Sequence, residues 1–178
     1  MQVVNKIISN FINNKSLYIG EKVTMSEHMI QTAMLAEKAK CGDDLICSSL
    51  LHDYGHFILE NPDDLVKLNV DGQHENIGYE YLKSFFKKEI LEPIKYHVLA
   101  KRYLANDKKY FDLLSEASKT SLKIQGGALN PEECNKFEAQ EYFKPSILLR
   151  KFDEAAKRTD LKMKSIHDYK KLLTYKLI

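Results

Sequence analysis

The dipeptide His52-Asp53, inside Leu50-Leu51-His52-Asp53-Tyr54-Gly55-His56, constrains this chain more than any other feature. The residues before it, Leu45, Ile46, Cys47, Leu50 and Leu51, are apolar, so the pair is expected on a buried helix. A buried aspartate is costly unless it is paired, hydrogen-bonded or bound to a metal. With two oxygens, the carboxylate can hold one cation beside the histidine and reach a second nearby. A lone His-Asp pair means little; its weight depends on where the other histidines fall.

The 178 residues suit one domain with a sizeable core, spanning 1–178. A formal net charge of +2, with lysines scattered rather than interleaved with aromatics, argues against nucleic acid as a partner. Cys41, Cys47 and Cys134 form no CxxC pair, which fits a reduced cytoplasm. Met1 to Ser9 lacks the long apolar region of an export signal, and no run is long enough to cross a membrane.

Apolar spacing predicts a helix over Gln2 to Phe11, broken by Asn13-Asn14-Lys15-Ser16. Thr24 or Ser26 is the expected N-cap of a helix from Glu27 to Lys40, with His28 in its first turn. Gly42-Asp43-Asp44 caps the helix bearing His52 and Asp53; Gly55 ends or loosens it, and Asn61-Pro62 opens a loop. Further helices are expected over His74 to Phe86, from Pro93 in a first turn to Leu104, over Tyr110 to Ser121, from Pro131, over Pro145 to Ala156, and over Ser165 to Leu177. Gln125-Gly126-Gly127 reads as a loop. No segment sustains strand alternation, so the fold class is an all-α bundle.

Against those helices, His28, His52, His56, His74 and His97 fall at starts, ends or buried faces, while His167 matches nothing and is expected at the surface. A bundle can aim side chains from separate helices at one point. Asp53 and Asp153 add carboxylates, and mixed imidazole and carboxylate donors suit iron, manganese or zinc better than calcium. Taken singly, each histidine is more often a surface or hydrogen-bonded core residue than a ligand. Lys101 and Arg150 taken singly read as solvated charges, Tyr18 as a packing residue and Glu21 as a helix-flanking charge. The order His28, His52-Asp53, His74, His97, Asp153 carries the weight.

That order resembles the HD-domain superfamily, and the two extra histidines resemble its dinuclear subgroup. Tyr18-Ile19-Gly20-Glu21 looks like the Tyr-x-x-Glu element of one branch, the mixed-valent diiron oxygenases, and Ser121-Leu122-Lys123-Ile124-Gln125-Gly126-Gly127 looks like its Ser-Leu-x-x-Gln-Gly-Gly segment. The resemblance runs from about Tyr18 to Arg158 and is nearest to the phosphonate-degrading members, with myo-inositol oxygenase more distant. It implies an HD-domain bundle with two irons, one on His28, His52, Asp53 and Asp153, the other on Asp53, His74 and His97. Asp53 bridges, and the irons work as an Fe(II)/Fe(III) pair with O2 as co-substrate.

It also implies that Tyr18 and Glu21 form a gate, the Glu filling an open iron position until substrate arrives. His56 would hydrogen-bond near the substrate, and Lys101, Ser121 and Arg150 would clamp a phosphonate. Ser118, one turn earlier, competes with Ser121. Met25-Ser26 stands where related sequences are expected to be more polar, which bears on the amino end of the substrate. The implied reaction is oxidative cleavage of the C–P bond in a 1-hydroxyalkylphosphonate of 2-amino or 2-trimethylammonio type, giving phosphate and a carboxylate. The alternative is an HD-type phosphohydrolase acting on a nucleotide or small phosphomonoester, since the same ligands serve both. A non-catalytic binding module would have lost ligands, and none is missing here.

Overall fold

The computed structural model describes residues 1–18, 20–59 and 70–178. Asn61-Pro62 lies outside them. Among the described residues the chain is helical, with only two isolated β-bridges, Leu17 to Thr24 and Phe86 to Leu177. The helices are α1 (Gln2–Asn13), α2 (Met25–Lys38), α3 (Asp43–Leu51), α4 (His74–Leu82), α5 (Lys88–Leu104), α6 (Lys108–Leu113), α7 (Glu116–Ile124), α8 (Pro131–Glu138), α9 (Phe143–Ala155) and α10 (Lys170–Tyr175).

Capping explains several boundaries. Thr24 accepts from the Glu27 amide while Glu27 reaches back to the Thr24 amide, so α2 starts two residues ahead of the expected Glu27. Ser26, the other expected cap, instead donates to the Phe11 carbonyl at 2.7 Å. The single helix expected over Tyr110 to Ser121 is two. Leu114 turns extended and buries its side chain, and Ser115 then caps α7 by accepting from the Ser118 amide. Pro93 is not in a first turn but inside α5, which begins at Lys88. The expected His74 to Phe86 helix ends at Leu82, and the last segment is a short 3₁₀ turn, Ile166–Tyr169, running into α10.

Packing is organised around a ring. α2 lies on α3, α3 on α5, α5 on α9 and α9 on α2, with α4 against α5. The main core fills one side of that ring with Ile7, Met29, Leu50, Leu51, Tyr54, Ile90 and Ile94, all essentially inaccessible. A second cluster, Ala100, Leu129 and Phe137, sits under α8. Tyr54 is pinned by its hydroxyl, which accepts from the Asn10 side chain at 2.8 Å. Because the apolar residues pack beside the ring, the polar side chains of α2, α3, α5 and α9 share its interior.

Candidate active site

Those elements, with α4, bring six donors to a single buried spot. His28 comes from α2, His52 and Asp53 from the end of α3, His74 from the start of α4, His97 from α5 and Asp153 from α9. The donors form two groups, His28, His52 and Asp153, and Asp53, His74 and His97. In the first, His28 Nε2 stands 3.2 Å from both His52 Nε2 and Asp153 Oδ1. Asp53 Oδ2 adds contacts of 3.5 and 3.3 Å to the two imidazoles. In the second, His74 Nε2 and His97 Nε2 are 3.0 Å apart, and Asp53 Oδ1 lies 3.2 and 3.3 Å from them. One carboxylate therefore faces both groups, one oxygen to each.

These spacings are those of atoms sharing an ion. Donors held at about 2.1 Å from one cation stand about 3.0 Å apart in an octahedron and about 3.4 Å in a tetrahedron. The tautomers point the same way. His28, His52 and His97 donate from Nδ1 to the carbonyls of Ala156, Ser49 and Ile94 at 2.9, 2.9 and 2.6 Å. A carbonyl only accepts, so the proton is on Nδ1 and the Nε2 lone pairs face one another. Asp153 Oδ1 is buried beside them without a hydrogen-bond donor. Facing lone pairs and an orphaned carboxylate oxygen repel unless positive charge lies between them, so the donor set fits a pair of cations.

The titrations follow. Burial opposes charge on Asp53, but His52 and the hydrogen bonds of His74 and His97 outweigh it and hold the carboxyl well below the usual range. Burial likewise opposes charge on His52, yet Asp53 and Asp153 push it up to about 9: the negative charge that would attract a cation draws a proton to Nε2 when no cation is bound. Burial, with His74 nearby, brings His56 down to about 3, so it is a neutral hydrogen-bonding group.

Local backbone geometry brings the second group together. α3 stops at Leu51, so His52 and Asp53 occupy its C-terminal turn and not, as expected, a continuing helix. The 3₁₀ turn Tyr54–Phe57 then lies directly on the start of α4. A Cβ on Gly55 would meet the His74 carbonyl oxygen at 1.9 Å, and Gly78 faces Gly55 in turn. That close approach puts Asp53 beside His74 and stacks His56 on it, centroids 4.2 Å apart. Gln73 enters α4 with φ of 48°, its amide donating to Asp71 Oδ1 at 3.0 Å.

A cavity of about 290 Å³ opens on this centre. Asp53, His74, His97 and Asp153 reach its wall, as do Tyr18, Glu21, His56, Lys101, Ser118, Ser121 and Arg150. Lys101 and Arg150 are not solvated charges: both are buried. Lys101 Nζ donates to Ser121 Oγ at 2.9 Å, and burial, reinforced by Arg150, lowers its pKa to about 7. Arg150 donates to Asp153, to Glu154 and, at 2.8 Å, to the Tyr110 hydroxyl. A guanidinium has five N–H donors, so Arg150 is held rigidly with capacity left for a ligand.

Tyr18 stacks on His28, rings 3.9 Å apart and nearly parallel, and Glu21 Oε1 lies 3.1 Å from Lys157. Ser118 donates to Glu154 at 2.9 Å, so of the two serines Ser121 is the one beside Lys101. Met25 and Ser26 point into the core and away from the cavity, so they do not face a substrate. His167 is exposed.

Sequence reading missed Tyr110, Glu154 and Lys157. A signal existed for Glu154: it is four residues after Arg150, the spacing of a helical ion pair. Lys157, beyond the end of α9, and Tyr110, forty residues from Arg150, carried none.

Comparison with known proteins shows the family. The model of the HD domain matches residues 25–132. The chain is 46% identical over 145 residues, 81% of its length and 74% of the relative's, to a 1-hydroxy-2-(trimethylamino)ethylphosphonate dioxygenase (glycine-betaine-forming) of Leisingera caerulea. It is 39% identical over 154 residues, 85% of its length and 77% of the relative's, to a hydroxymethylphosphonate dioxygenase of Gimesia maris. An uncharacterized protein of Acanthamoeba polyphaga mimivirus is 38% identical over 178 residues, 97% of this chain and 81% of that one.

Proposed function

This chain belongs to the HD-domain family, in the branch of C–P-cleaving dioxygenases, and from that membership we infer that it opens a 1-hydroxyalkylphosphonate of 2-amino or 2-trimethylammonio type with O2, releasing phosphate and a carboxylate. The cofactor we propose is a mixed-valent Fe(II)/Fe(III) pair: His28, His52, Asp53 and Asp153 would hold one ion, and Asp53, His74 and His97 would hold the other. When bound, the iron pair supplies O2 activation and oxidation at the substrate's C1.

The chain's own residues bind, orient and exclude water. Lys101, Ser121 and Arg150 form a cationic, donor-rich wall that neutralises a phosphonate dianion, and in a buried setting such contacts are strong. The neutral imidazole of His56 offers a hydrogen bond without adding charge. Tyr18 shields the His28 side from solvent. Asp71, also on the wall, suits a cationic substituent on the substrate. The observation that carries the reading is the placement of buried Lys101 and Arg150 on the same small cavity as the Asp53, His74 and His97 donors.

The test is anaerobic iron loading followed by stoichiometry. About two irons per chain are expected, with one phosphate released per O2 consumed on hydroxymethylphosphonate or its 2-ammonio and 2-trimethylammonio relatives. Phosphate release without O2 uptake would replace this reading with the metal-dependent phosphohydrolase.

A further inference from the structure

Lys157 stands just past α9, four residues after Asp153, with its side chain 12% exposed. Its ammonium lies 2.8 Å from Glu154 Oε1, 3.0 Å from Ser115 Oγ and 2.9 Å from Ser118 Oγ. Those contacts use the three donors an ammonium has. The fourth neighbour, Glu21 Oε1 at 3.1 Å, is left with charge attraction alone, which is why that oxygen is buried yet lacks a directed hydrogen bond. Glu21 is therefore held close but not locked.

The backbone around it is fixed. The Tyr18 amide donates to the Val23 carbonyl and the Glu21 amide to the Tyr18 carbonyl, both at 2.8 Å. Gly20 takes a φ of 75° against Ala117. Only the Glu21 side chain is free to choose between Lys157 and the cavity it borders.

We propose that Lys157 is a positioning residue that docks the Glu21 carboxylate off the metal pair, so that an anionic substrate finds the cavity free of a competing carboxylate. The inference rests on the phosphonate reading above. Glu154 fixes the dock: its Oε1 takes Lys157, and its Oε2 takes Ser118 and Arg150. Dock and anion clamp thus share one rigid carboxylate. A dianion at Arg150 and Lys101 repels a carboxylate entering the cavity, and Lys157 gives that carboxylate a partner elsewhere.

The test measures anaerobic binding of hydroxymethylphosphonate and of inorganic phosphate to iron-loaded protein by calorimetry, where no turnover occurs. Lys157→Met is expected to weaken both anions about tenfold, and Lys157→Arg to restore most of that. Glu21→Gln alone should not weaken them. The double variant should bind within about twofold of Glu21→Gln, because no carboxylate remains to compete. A loss in Lys157→Met that persists undiminished on the Glu21→Gln background would overturn the proposal, as it would mean Lys157 acts only as a distant positive charge; so would no loss at all.

Should the unaltered protein bind neither anion, the clamp reading fails, and the Glu21 side-chain carboxyl carbon resonance, read by NMR in metal-free protein, decides the dock. That resonance should move in Lys157→Met and return in Lys157→Arg. A resonance unchanged by Lys157→Met would end the proposal.

Discussion

The two oxygens of Asp53 face different surroundings. Oδ2 looks into a closed group: His28, His52 and Asp153 are all buried, and both imidazoles are fastened through Nδ1 to main-chain carbonyls. Among the described residues, Oδ1 looks toward His74 and His97 alone. His97 is fastened to Ile94, but the partner nearest His74 Nδ1 is the Glu75 carboxylate at 3.7 Å, too far for a hydrogen bond. Of the first group Asp153 borders the cavity while His28 and His52 do not, whereas His74 and His97 both reach its wall. On the proposed iron pair, more protein donors and tighter backing would make the first position the one that retains its ion, and fewer donors on an open face would leave the second with room for substrate oxygens.

Removing the shared element is the harshest way to break that contrast. Asp53→Ala is expected to strip both ions, leaving iron near zero by elemental analysis and activity down on the order of 10³-fold or more. Two irons retained would mean the carboxylate does not bridge. Unequal substitutions sharpen the contrast. His97→Ala should lose the cavity-facing ion and keep the closed one, giving about one iron per chain. His28→Ala should loosen the closed position and leave the His74 and His97 donors intact. An identical loss in both variants would show one cooperative site in place of two unequal ones.

Gly55 tests how the open position is held. Its Cα lies against the main chain at His74, and an added Cβ has no flexible neighbour to push aside, only a carbonyl at 1.9 Å. Gly55→Ala should cost about 3 kcal/mol of stability or more, read by chemical denaturation. In the protein that remains folded, His74 should be displaced while His28 and His52 stay. Loss of the cavity-facing iron is then expected to exceed loss of the other.

The contrast also separates what the sequence displayed from what it hid. The candidate donors were legible because their order along the helices survives in one dimension: His28 in a first turn, His52-Asp53 after an apolar run, Asp153 on a late helix. The helical class was legible for the same reason. The break at Leu114 was not, because burial of Leu114 and the Ser115 cap override a helical pattern that runs through both. Nor was the start of α5, where tertiary packing carries a helix across Pro93. Gly55 displayed its identity but not its use, since the need for a missing Cβ is set by His74, nineteen residues on in the chain. Lys157 was hidden most fully: its partners Glu21, Ser115 and Ser118 are distant in sequence, and only the fold gathers them.

The smallest expected effect concerns the price of the clamp. Burial, with Arg150 nearby, lowers Lys101 to about 7 from its usual 10.5. Between those values the unfolded chain binds the proton that the native chain gives up, so this group's contribution to stability rises with pH across that window. Below pH 7 the ammonium is charged in both states and its burial penalty is complete. Lys101→Met keeps the stem volume and removes the charge, so it should stabilise the fold by about 1 kcal/mol at or below pH 7. The gain should shrink toward pH 10, while anion binding falls at every pH. Denaturation of both proteins at matched iron content, repeated from pH 6 to pH 10, checks the sign. A Lys101→Met variant less stable than the parent at pH 6 would show that the bond to Ser121 outweighs the cost of burying the charge, and the cavity wall would then be a stabilising element and not one retained for its ligand.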